Sequence, residues 1–314
     1  MTADDTSTTD LRRALTGSAD APALQLRRTY RTGAEDLWSA LTDPDRLARW
    51  FGRIETLPVE VGDAFRVAVG EPDEPLAQGR LVSCRAPRRL VYDWTYGGSS
   101  STVSITLTPR ADDRTELRID HARLDPRHLV GYGGGWEDGL AVLSAQLGAA
   151  ARTAGAPADV EIAAQHAWTR LTEHPVQLER SLSAGPATVW RALTTAEGLR
   201  PWWWSHWADV ELDIPSRVGG SYRISVASAG IDLSGEIVSC TPREHLALTW
   251  TWSDADGVSV DEAVDIRLVP EGRATRVVIR HTGPWPDERQ SVEYAEGWES
   301  TLDVLDALIG GDRD

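Results

Sequence analysis

Apolar and polar residues alternate along much of the chain in short runs that are typical of antiparallel strands. Tyr92, Trp94 and Tyr96 stand at alternate positions, so a strand would place all three side chains on one face of a sheet. A sheet with one face buried and the other in water fits this alternation. The same spacing recurs at residues 103–107, 117–119, 248–252, 264–268 and 277–279.

A helical spacing of apolar residues closes each half of the chain. Trp136, Leu140, Leu143 and Leu147 fall along one face of a long helix, because they are separated by four, three and four positions. Ahead of this helix, each half is predicted to begin with a strand, at 24–31 or 176–183, followed by two short helices. The second half repeats the closing stripe at Trp298, Leu302, Leu305 and Ile309.

The two halves are copies of one another. The segment Leu-Trp-Ser-Ala-Leu-Thr at 37–42 recurs as Val-Trp-Arg-Ala-Leu-Thr at 189–194, and Gly-Trp-Glu at 135–137 recurs at 297–299. Matches in one order along the whole chain indicate duplication of a domain. We therefore predict a disordered leader at 1–22, a first domain at 23–152, a linker at 153–175 that is able to form a helix, and a second domain at 176–312.

Charge excludes several classes of partner. The 314 residues include 32 arginines and 48 acidic side chains, for a net charge of −16, and most of the excess lies in the second half. A field of this sign repels phosphate groups, so we expect neither nucleic acid nor a membrane surface as a partner. No apolar run approaches the roughly 20 residues of a membrane span. We expect a cytoplasmic protein, and the composition leaves its oligomeric state open.

Several local segments resemble a known superfamily. They are Val-Trp-Arg-Ala-Leu-Thr at 189–194, Leu-Arg-Pro-Trp-Trp at 199–203, Gly-Glu-Ile-Val-Ser-Cys-Thr-Pro-Arg at 235–243 and Leu-Thr-Trp-Thr-Trp at 248–252. They are similar to the START-like, birch-pollen-allergen-like superfamily, in the branch named after the C-terminal domain of the heat-shock-protein-90 ATPase activator. The resemblance implies an α+β fold of two tandem helix-grip domains. In each, an antiparallel sheet would wrap around the long C-terminal helix, with two short helices and an apolar cavity between them.

The resemblance also implies a range of functions. The leading hypothesis is a binding protein that holds a hydrophobic or aromatic small molecule in the cavity, without a cofactor. Some members, including two-domain helix-grip proteins of enediyne biosynthetic loci, resemble the self-resistance proteins of antibiotic producers. One alternative is a polyketide cyclase or dehydratase that uses the same cavity. Another is a chaperone-type protein-interaction module.

Aromatic residues are the main candidates for ligand contact, since large rings bind flat apolar ligands well. Consecutive tryptophans at 202–204 cannot all point into one core, because neighbouring residues on a helix or strand face different ways. The second domain has more tryptophans, so we expect it to be the better ligand binder. The predicted aromatic ligand-binding residues are Trp50, Tyr92, Trp94, Tyr96, Trp136, Trp202, Trp203, Trp207, Trp250, Trp252 and Trp298.

Two histidines at equivalent positions complete the candidate list. His121 and His281 share the strand parity of inward-facing apolar residues, so each could present an imidazole to a ligand or act as a general base. A rim histidine held by a hydrogen bond is the simpler interpretation. No partner at a recognisable spacing forms a triad, so both are weak catalytic candidates. The spacing of His121 and His128 does not suit zinc, and we predict no metal site.

The two cysteines and a glycine-rich segment are interpreted as structural features rather than as parts of an active site. Cys84 and Cys240 occupy matching positions in the two copies, so they are not expected to meet, and buried, inert thiols are predicted. The glycine-rich segment 131–135 precedes the first closing stripe and matches no nucleotide-binding motif. We expect it to be a flexible lid over the cavity.

Overall fold

The computed structural model describes residues 11–54, 58, 60–68, 77–147, 157–215 and 217–310. The chain forms two compact units. The first contains the residues up to Arg13 together with Ala19–Thr169, and the second contains Ala14–Ser18 together with the residues from Arg170 onward. The tandem α+β architecture predicted from the repeat is therefore confirmed.

The first unit is built on one antiparallel sheet with the strand order β1-β2-β8-β7-β6-β5-β4-β3. Its strands are β1 (Leu11–Gly17), of which Leu11–Arg13 belongs to this unit, β2 (Pro22–Tyr30), β3 (Arg53–Ile54), β4 (Ala64–Ala68), β5 (Ala77–Arg85), β6 (Arg89–Tyr96), β7 (Ser99–Arg110) and β8 (Arg114–Ala122). Its helices are the short α1 (Ala34–Thr42) and α2 (Pro44–Leu47), the closing α3 (Leu129–Gln146) and most of α4 (Pro157–Glu173).

Alternating burial along the central strands places the core between the sheet and the helices. Ile105 of β7 pairs with Ile119 of β8, and both are buried. The closing helix α3 buries Trp136, Leu140 and Leu143 of the predicted stripe. Period-two strands facing a 3.6-period helix therefore form one apolar layer, as the pattern predicts.

The second unit repeats this arrangement, with the strand order β10-β11-β12-β13-β15-β16-β9 and β14 paired with β13. Its strands are β9 (Val176–Leu182), β10 (Val210–Asp213), β11 (Ser221–Val226), β12 (Ile231–Thr241), β13 (His245–Asp254), β14 (Gly257–Val258), β15 (Glu262–Glu271) and β16 (Ala274–Thr282). Its helices are α5 (Pro186–Thr194), α6 (Ala196–Leu199) and the closing α7 (Glu288–Gly310), which buries Trp298, Leu302 and Leu305.

The predicted disordered leader is wrong for part of its length. Leu11–Gly17 forms β1, and its small apolar set, including Ala14 and Leu15, is buried. In the second unit, the hydroxyl of Thr282 donates to the carbonyl of Leu15 at 2.7 Å. A short strand can satisfy its backbone and bury two or three side chains without an obvious apolar run. The predicted leader residues 1–10 lie outside the described residues.

The glycine-rich segment is not a loop, because α3 begins at Leu129 and contains it. A Cβ on Gly133 would lie 2.3 Å from Cδ1 of Trp168, and one on Gly134 would lie 2.7 Å from Cγ of Gln165. These glycines therefore let the linker helix α4 approach α3 closely. The prediction of a flexible lid is wrong for this reason.

A buried carboxylate on α3 joins three elements of the first unit. Both oxygens of Glu137 accept hydrogen bonds from the guanidinium of Arg13, each at 2.6 Å. Its Oε1 also accepts the indole N–H of Trp168 on α4 at 2.7 Å. The equivalent Glu299 in the second unit is exposed. The two closing helices are thus held in different ways.

Candidate ligand-binding cavities

The first domain contains a partly open apolar cavity of about 270 Å³ between its sheet and its helices α1 and α2, which we call inner cavity 1. Its floor includes Val103 and Ile105 of β7, and its roof includes Trp38 and Leu41 of α1. Nearly every lining side chain is aliphatic or aromatic. The remaining lining residues are Thr42, Leu47, Trp50, Phe51, Ile54, Pro58, Phe65, Leu81, Cys84, Ala86, Leu90, Tyr92, Trp94 and Trp136.

A second pocket of about 480 Å³, outer pocket 1, lies beside α3. Four aromatic residues, Trp50, Phe51, Trp94 and Trp136, line both spaces and form the partition between them. The rings of Phe51 and Trp136 are stacked, with centroids 5.3 Å apart. Phe51 is half-buried, whereas the other three residues of the partition are buried.

Hydrogen bonds fix the rest of this partition. The indole N–H of Trp50 donates to the carbonyl of Ala40 in α1 at 3.0 Å. The indole N–H of Trp94 donates to the hydroxyl of Tyr132 on α3 at 3.1 Å. Buried tryptophans usually have such a partner, and here the partners set the orientation of the ring faces.

The second domain has a corresponding inner space of only about 50 Å³, inner cavity 2. Trp202 matches Trp50, since its indole N–H donates to the carbonyl of Ala192 at 3.2 Å. The next residue is Trp203, where the first domain has Phe51, and its ring packs 5.6 Å from that of Trp298. The larger indole fills the space that Phe51 leaves open. The structure therefore places the larger inner cavity in the first domain. The expectation that the second domain is the better ligand binder stays a prediction.

The second domain instead has a larger outer pocket, outer pocket 2, of about 590 Å³. It lies between α7, the β13–β15 region and the segment that follows α6. Its aromatic walls are Trp203, Trp204, Trp250, Trp252, Tyr294 and Trp298. The remaining lining residues are Asp254, Asp256, Gly257, Val258, Ser259, Glu262, Gln290, Glu293, Gly297 and Thr301.

Trp204 reaches this wall through an uncommon backbone conformation. Its φ is +52°, in the left-handed region that large side chains rarely adopt, whereas the first domain has Gly52 at the matching position. Such a residue costs about 1–3 kcal/mol and persists where its surroundings hold it. The Trp204 ring packs edge-on against Trp252, with centroids 5.5 Å apart.

Both predicted histidines are fully buried and lie behind the pockets rather than in their walls. Nδ1 of His121 accepts the indole N–H of Trp136 at 3.2 Å, so the other nitrogen carries the proton and donates to the Ser101 hydroxyl at 2.7 Å. Burial lowers the pKa of His121 to about 3. Tyr132 covers its ring at a centroid distance of 4.4 Å. This neutral, covered imidazole is placed to orient Trp136.

The neighbours of His281 correspond to those of His121, except that one neighbouring residue differs between the two domains. Its Nδ1 accepts the indole N–H of Trp298 at 3.4 Å, and Tyr294 covers the ring. Burial lowers the pKa of His281, so it too is neutral near pH 7. The strand register places Glu262 opposite Trp250, where Ser101 stands opposite Trp94. A carboxylate in the second domain therefore replaces a hydroxyl in the first.

Glu262 is only 4% exposed and is held by three donors. Its Oε1 accepts the indole N–H of Trp285 at 2.8 Å. Its Oε2 accepts the hydroxyls of Tyr294 at 2.9 Å and Ser259 at 3.1 Å. Burial, followed by the Glu262 charge, raises the pKa of Tyr294 well above its ordinary value, so the phenol stays protonated and donates.

Comparison with known proteins agrees with this architecture. A family model described as activator of Hsp90 ATPase homolog 1-like protein matches residues 31–148 and again residues 183–310. The chain belongs to this family. The resemblance stated for the sequence is confirmed, and both family matches contain an inner cavity and an outer pocket.

The chain is also similar to several solved structures. CalU16 from Micromonospora echinospora is 28% identical, with a TM-score of 0.42, over 51% of this chain and 97% of that chain. DynU16, a protein of the dynemicin biosynthetic locus, is 17% identical, with a TM-score of 0.37, over 96% of this chain and 100% of that chain. MLL2253 from Mesorhizobium loti is 25% identical, with a TM-score of 0.38, over 45% and 100% of the two chains. No curated protein matches the chain.

Most of the predicted site residues of this family member line the cavities. Trp50, Tyr92, Trp94, Tyr96 and Trp136 do so in the first domain. In the second domain, Trp203, Trp250, Trp252 and Trp298 do so. The predicted residues that line none of these four spaces are His121, Trp202, Trp207 and His281.

Sequence reasoning missed four residues that shape the cavities. Phe51, Tyr132, Glu262 and Tyr294 were not among the candidates. The two tyrosines carried a usable signal, because each precedes the tryptophan of a closing stripe by four positions and so shares its helix face. Glu262 carried no such signal, since an acidic residue at a strand end is usually solvated.

The cysteines are also not as predicted. Cys84 is exposed and lines inner cavity 1, whereas Cys240 is half-buried and lines none of the four spaces. Burial raises the pKa of the Cys240 thiol. Within the described ranges, no group of three or more acidic, histidine or cysteine side chains is arranged to hold a metal ion. None of the helices described is long and apolar enough to cross a membrane.

Proposed function

We propose that this protein binds a small molecule and that its first domain holds an apolar or aromatic ligand in inner cavity 1. One observation carries the proposal: a space of about 270 Å³ whose walls are almost wholly apolar, in a fold that elsewhere fills the same space. Ligand pockets are usually about 300–1,000 Å³ and mainly apolar, so this one suits a compact ligand. We infer that a ligand enters from outer pocket 1 past Phe51, the one half-buried residue of the four that separate the two spaces.

The two alternative functions have less support. A cyclase or dehydratase that uses His121 or His281 would need an imidazole in the cavity wall, and both rings are buried behind it. An interaction module would favour a broad exposed tryptophan surface. Every tryptophan of the chain is instead buried or half-buried.

A more specific function is sequestration of a toxic polyketide or enediyne for self-resistance. This function is implied by the resemblance to START-like proteins of antibiotic producers. It stays a prediction, as does a cytoplasmic location. Inner cavity 1 is compatible with a planar aromatic part of such a molecule, because its walls are aromatic and apolar.

The cysteines offer a matched test of the binding site. The chain has only Cys84 and Cys240, at equivalent positions of the two repeats. In the Cys240→Ser variant, benzyl methanethiosulfonate would place a benzyl group at Cys84, in the wall of inner cavity 1. The Cys84→Ser variant, labelled at Cys240, is the control. Binding is followed by the fluorescence of N-phenyl-1-naphthylamine, a neutral apolar probe.

We expect the benzyl group at Cys84 to weaken probe binding by about tenfold or more, or ~1.4 kcal/mol, because it occupies the same space. The label at Cys240 should leave probe binding unchanged. Reduction of the mixed disulfide should restore binding. Equal affinities in the two labelled proteins would show that the probe does not use inner cavity 1, and the proposal would then be wrong.

A further inference from the structure

We propose that outer pocket 2 binds an organic ammonium group, the positively charged amine of a small molecule. This inference rests on the proposed function in one respect, namely that the chain binds small molecules, and it names the chemical class for the other domain. It follows from the ring geometry, the charges and one buried carboxylate of the pocket.

The aromatic walls of outer pocket 2 form a cage. Trp250 packs 5.5 Å from Trp298 at an interplanar angle of 45°, and Trp203 meets Trp298 at 73°. Trp252 stands perpendicular to Trp204. Ring faces that meet at steep angles surround a ligand from several sides. Such cages bind alkylated ammonium groups, because the negative face of each ring attracts the cation.

The charges of the pocket have one sign. Four carboxylates line it, those of Asp254, Asp256, Glu262 and Glu293, and no arginine or histidine is among the described lining residues. Asp254 is fixed in place by the indole N–H of Trp252, which donates to its Oδ2 at 2.6 Å. Anionic ligands are disfavoured here, and a cation is attracted before contact.

Glu262 gives this charge a focus inside the protein. Two other buried carboxylates have cationic partners: Glu137 pairs with Arg13, and Asp265 lies 3.3 Å from Arg267. The three donors to Glu262 carry no charge. Nε2 of His281 lies 3.8 Å from its Oε2, and burial lowers the pKa of this histidine against the opposing effect of Glu262. A buried charge without a counter-charge is costly. A bound ammonium would supply the missing partner.

One buried donor also points to a ligand. The indole N–H of Trp250, which lines the pocket, makes no well-aligned hydrogen bond in the described part of the chain, although the Tyr294 hydroxyl interacts with it. Its first-domain counterpart, Trp94, donates to Tyr132. Buried polar groups without a partner are rare in native proteins. An oxygen carried beside the ammonium would satisfy this donor.

The first domain provides a natural contrast. Outer pocket 1 is lined by Arg127 and His128 as well as by Asp138 and Glu161, and Ser101 stands where the second domain has Glu262. The charges that line outer pocket 1 nearly cancel. The residue that corresponds to Glu262 carries a neutral hydroxyl. Ammonium binding is therefore a property of the second domain and not of the fold.

Two isosteric probes test this inference on the full chain. 4-(Trimethylammonio)phenol and 4-tert-butylphenol have the same shape and differ only in the positive charge. Indole N–H resonances in NMR spectra report each site separately: Trp250 and Trp298 for outer pocket 2, Trp94 and Trp136 for the first domain. At the second-domain resonances, we expect the cation to bind about tenfold more tightly than its neutral isostere.

Matched variants assign the preference to the pocket. Glu262→Gln removes one negative charge inside outer pocket 2, and Glu299→Gln removes one from an exposed position on α7. The first should abolish the preference for the cation, and the second should retain it. If Glu262→Gln does not fold, Glu293→Gln, at the exposed rim of the pocket, should lower the preference by a smaller factor.

Equal affinity of the two probes at Trp250 and Trp298 would overturn the inference, and so would an equal effect of the two glutamate variants. Neither result bears on inner cavity 1. Failure of the proposed function would appear instead as an unchanged N-phenyl-1-naphthylamine affinity after benzylation of Cys84. The two proposals can therefore fail independently.

Discussion

Replacement of Glu137 by alanine should loosen the first domain at its closing helix. The substitution removes the carboxylate to which Arg13 and Trp168 donate, at 2.6 and 2.7 Å. Those three residues belong to β1, α3 and α4, so one side chain holds three elements of the first unit together. Glu299 offers the control, because it is the equivalent residue on α7 and is exposed.

The expected loss in the free energy of unfolding follows from the buried groups that lose their partner when Glu137 is replaced. Breaking a buried ion pair by removal of one partner costs about 3–5 kcal/mol. Arg13 retains partial access to water, with its side chain 15% exposed, which favours the lower end. The Trp168 indole N–H is fully buried, and a buried donor without its acceptor costs about 1–3 kcal/mol. We therefore expect a loss of about 3–5 kcal/mol in all, and less than ~0.5 kcal/mol for Glu299→Ala.

Amide hydrogen exchange followed by mass spectrometry measures this domain by domain. A loss of about 3 kcal/mol should speed exchange in peptides of α3 and α4 by roughly a hundredfold, while peptides of α7 keep their protection. Equal protection of α3 in the wild type and in Glu137→Ala would refute the reasoning. Equal effects of Glu137→Ala and Glu299→Ala would also refute it, because they would deny Glu137 any special role.

Three further predictions concern stability. Because His121 has a pKa of about 3 in the fold and ~6.5 when unfolded, the unfolded chain binds more protons between these values. The free energy of unfolding should therefore fall as the pH drops from about 6.5 towards 3, by up to ~1.4 kcal/mol per pH unit, and His121→Gln should reduce this slope in urea titrations. Gly133→Ala should destabilise the first domain, since the added Cβ would clash with Trp168. A Cβ on Gly135 would contact nothing, so Gly135→Ala should add up to about 1 kcal/mol to the free energy of unfolding and raise the melting temperature. Leu143→Ala and Leu305→Ala should each cost about 2–5 kcal/mol in chemical denaturation, and a cost near zero would place the residue on the surface.

The fold could be predicted because its signals are local and occur twice. Alternation such as that of Tyr92, Trp94 and Tyr96 depends only on the two-residue period of a strand. The stripe that begins at Trp136 depends only on the helical period. A second copy of each pattern confirmed both, and the order of elements then matched a known superfamily.

Cavity volume could not be predicted, because it depends on differences between packed side chains. Phe51 and Trp203 stand at equivalent positions, and both are aromatic. One leaves a space of about 270 Å³ and the other a space of about 50 Å³. A count of tryptophans therefore pointed to the second domain, although its indoles fill their own cavity.

Polar contacts between residues far apart in sequence could not be predicted either, because they too depend on the packed structure. Glu137 meets Arg13 across 124 positions of sequence, and Glu262 meets Tyr294 across 32. No local pattern separates these two carboxylates from solvated ones. The leader was misread because the strand that contains Arg13 gains its order from such contacts rather than from an apolar run.

A crystal of the protein soaked with 1-bromonaphthalene tests the central claim most directly, because anomalous scattering locates the bromine without any substitution. Apolar cavities in proteins contain no ordered water and bind small apolar ligands of this kind. The predicted result is an anomalous peak inside inner cavity 1, enclosed by Phe51, Tyr92 and Val103. A fully soaked crystal with bromine only at the surface or in the second domain, and none in inner cavity 1, would contradict the account.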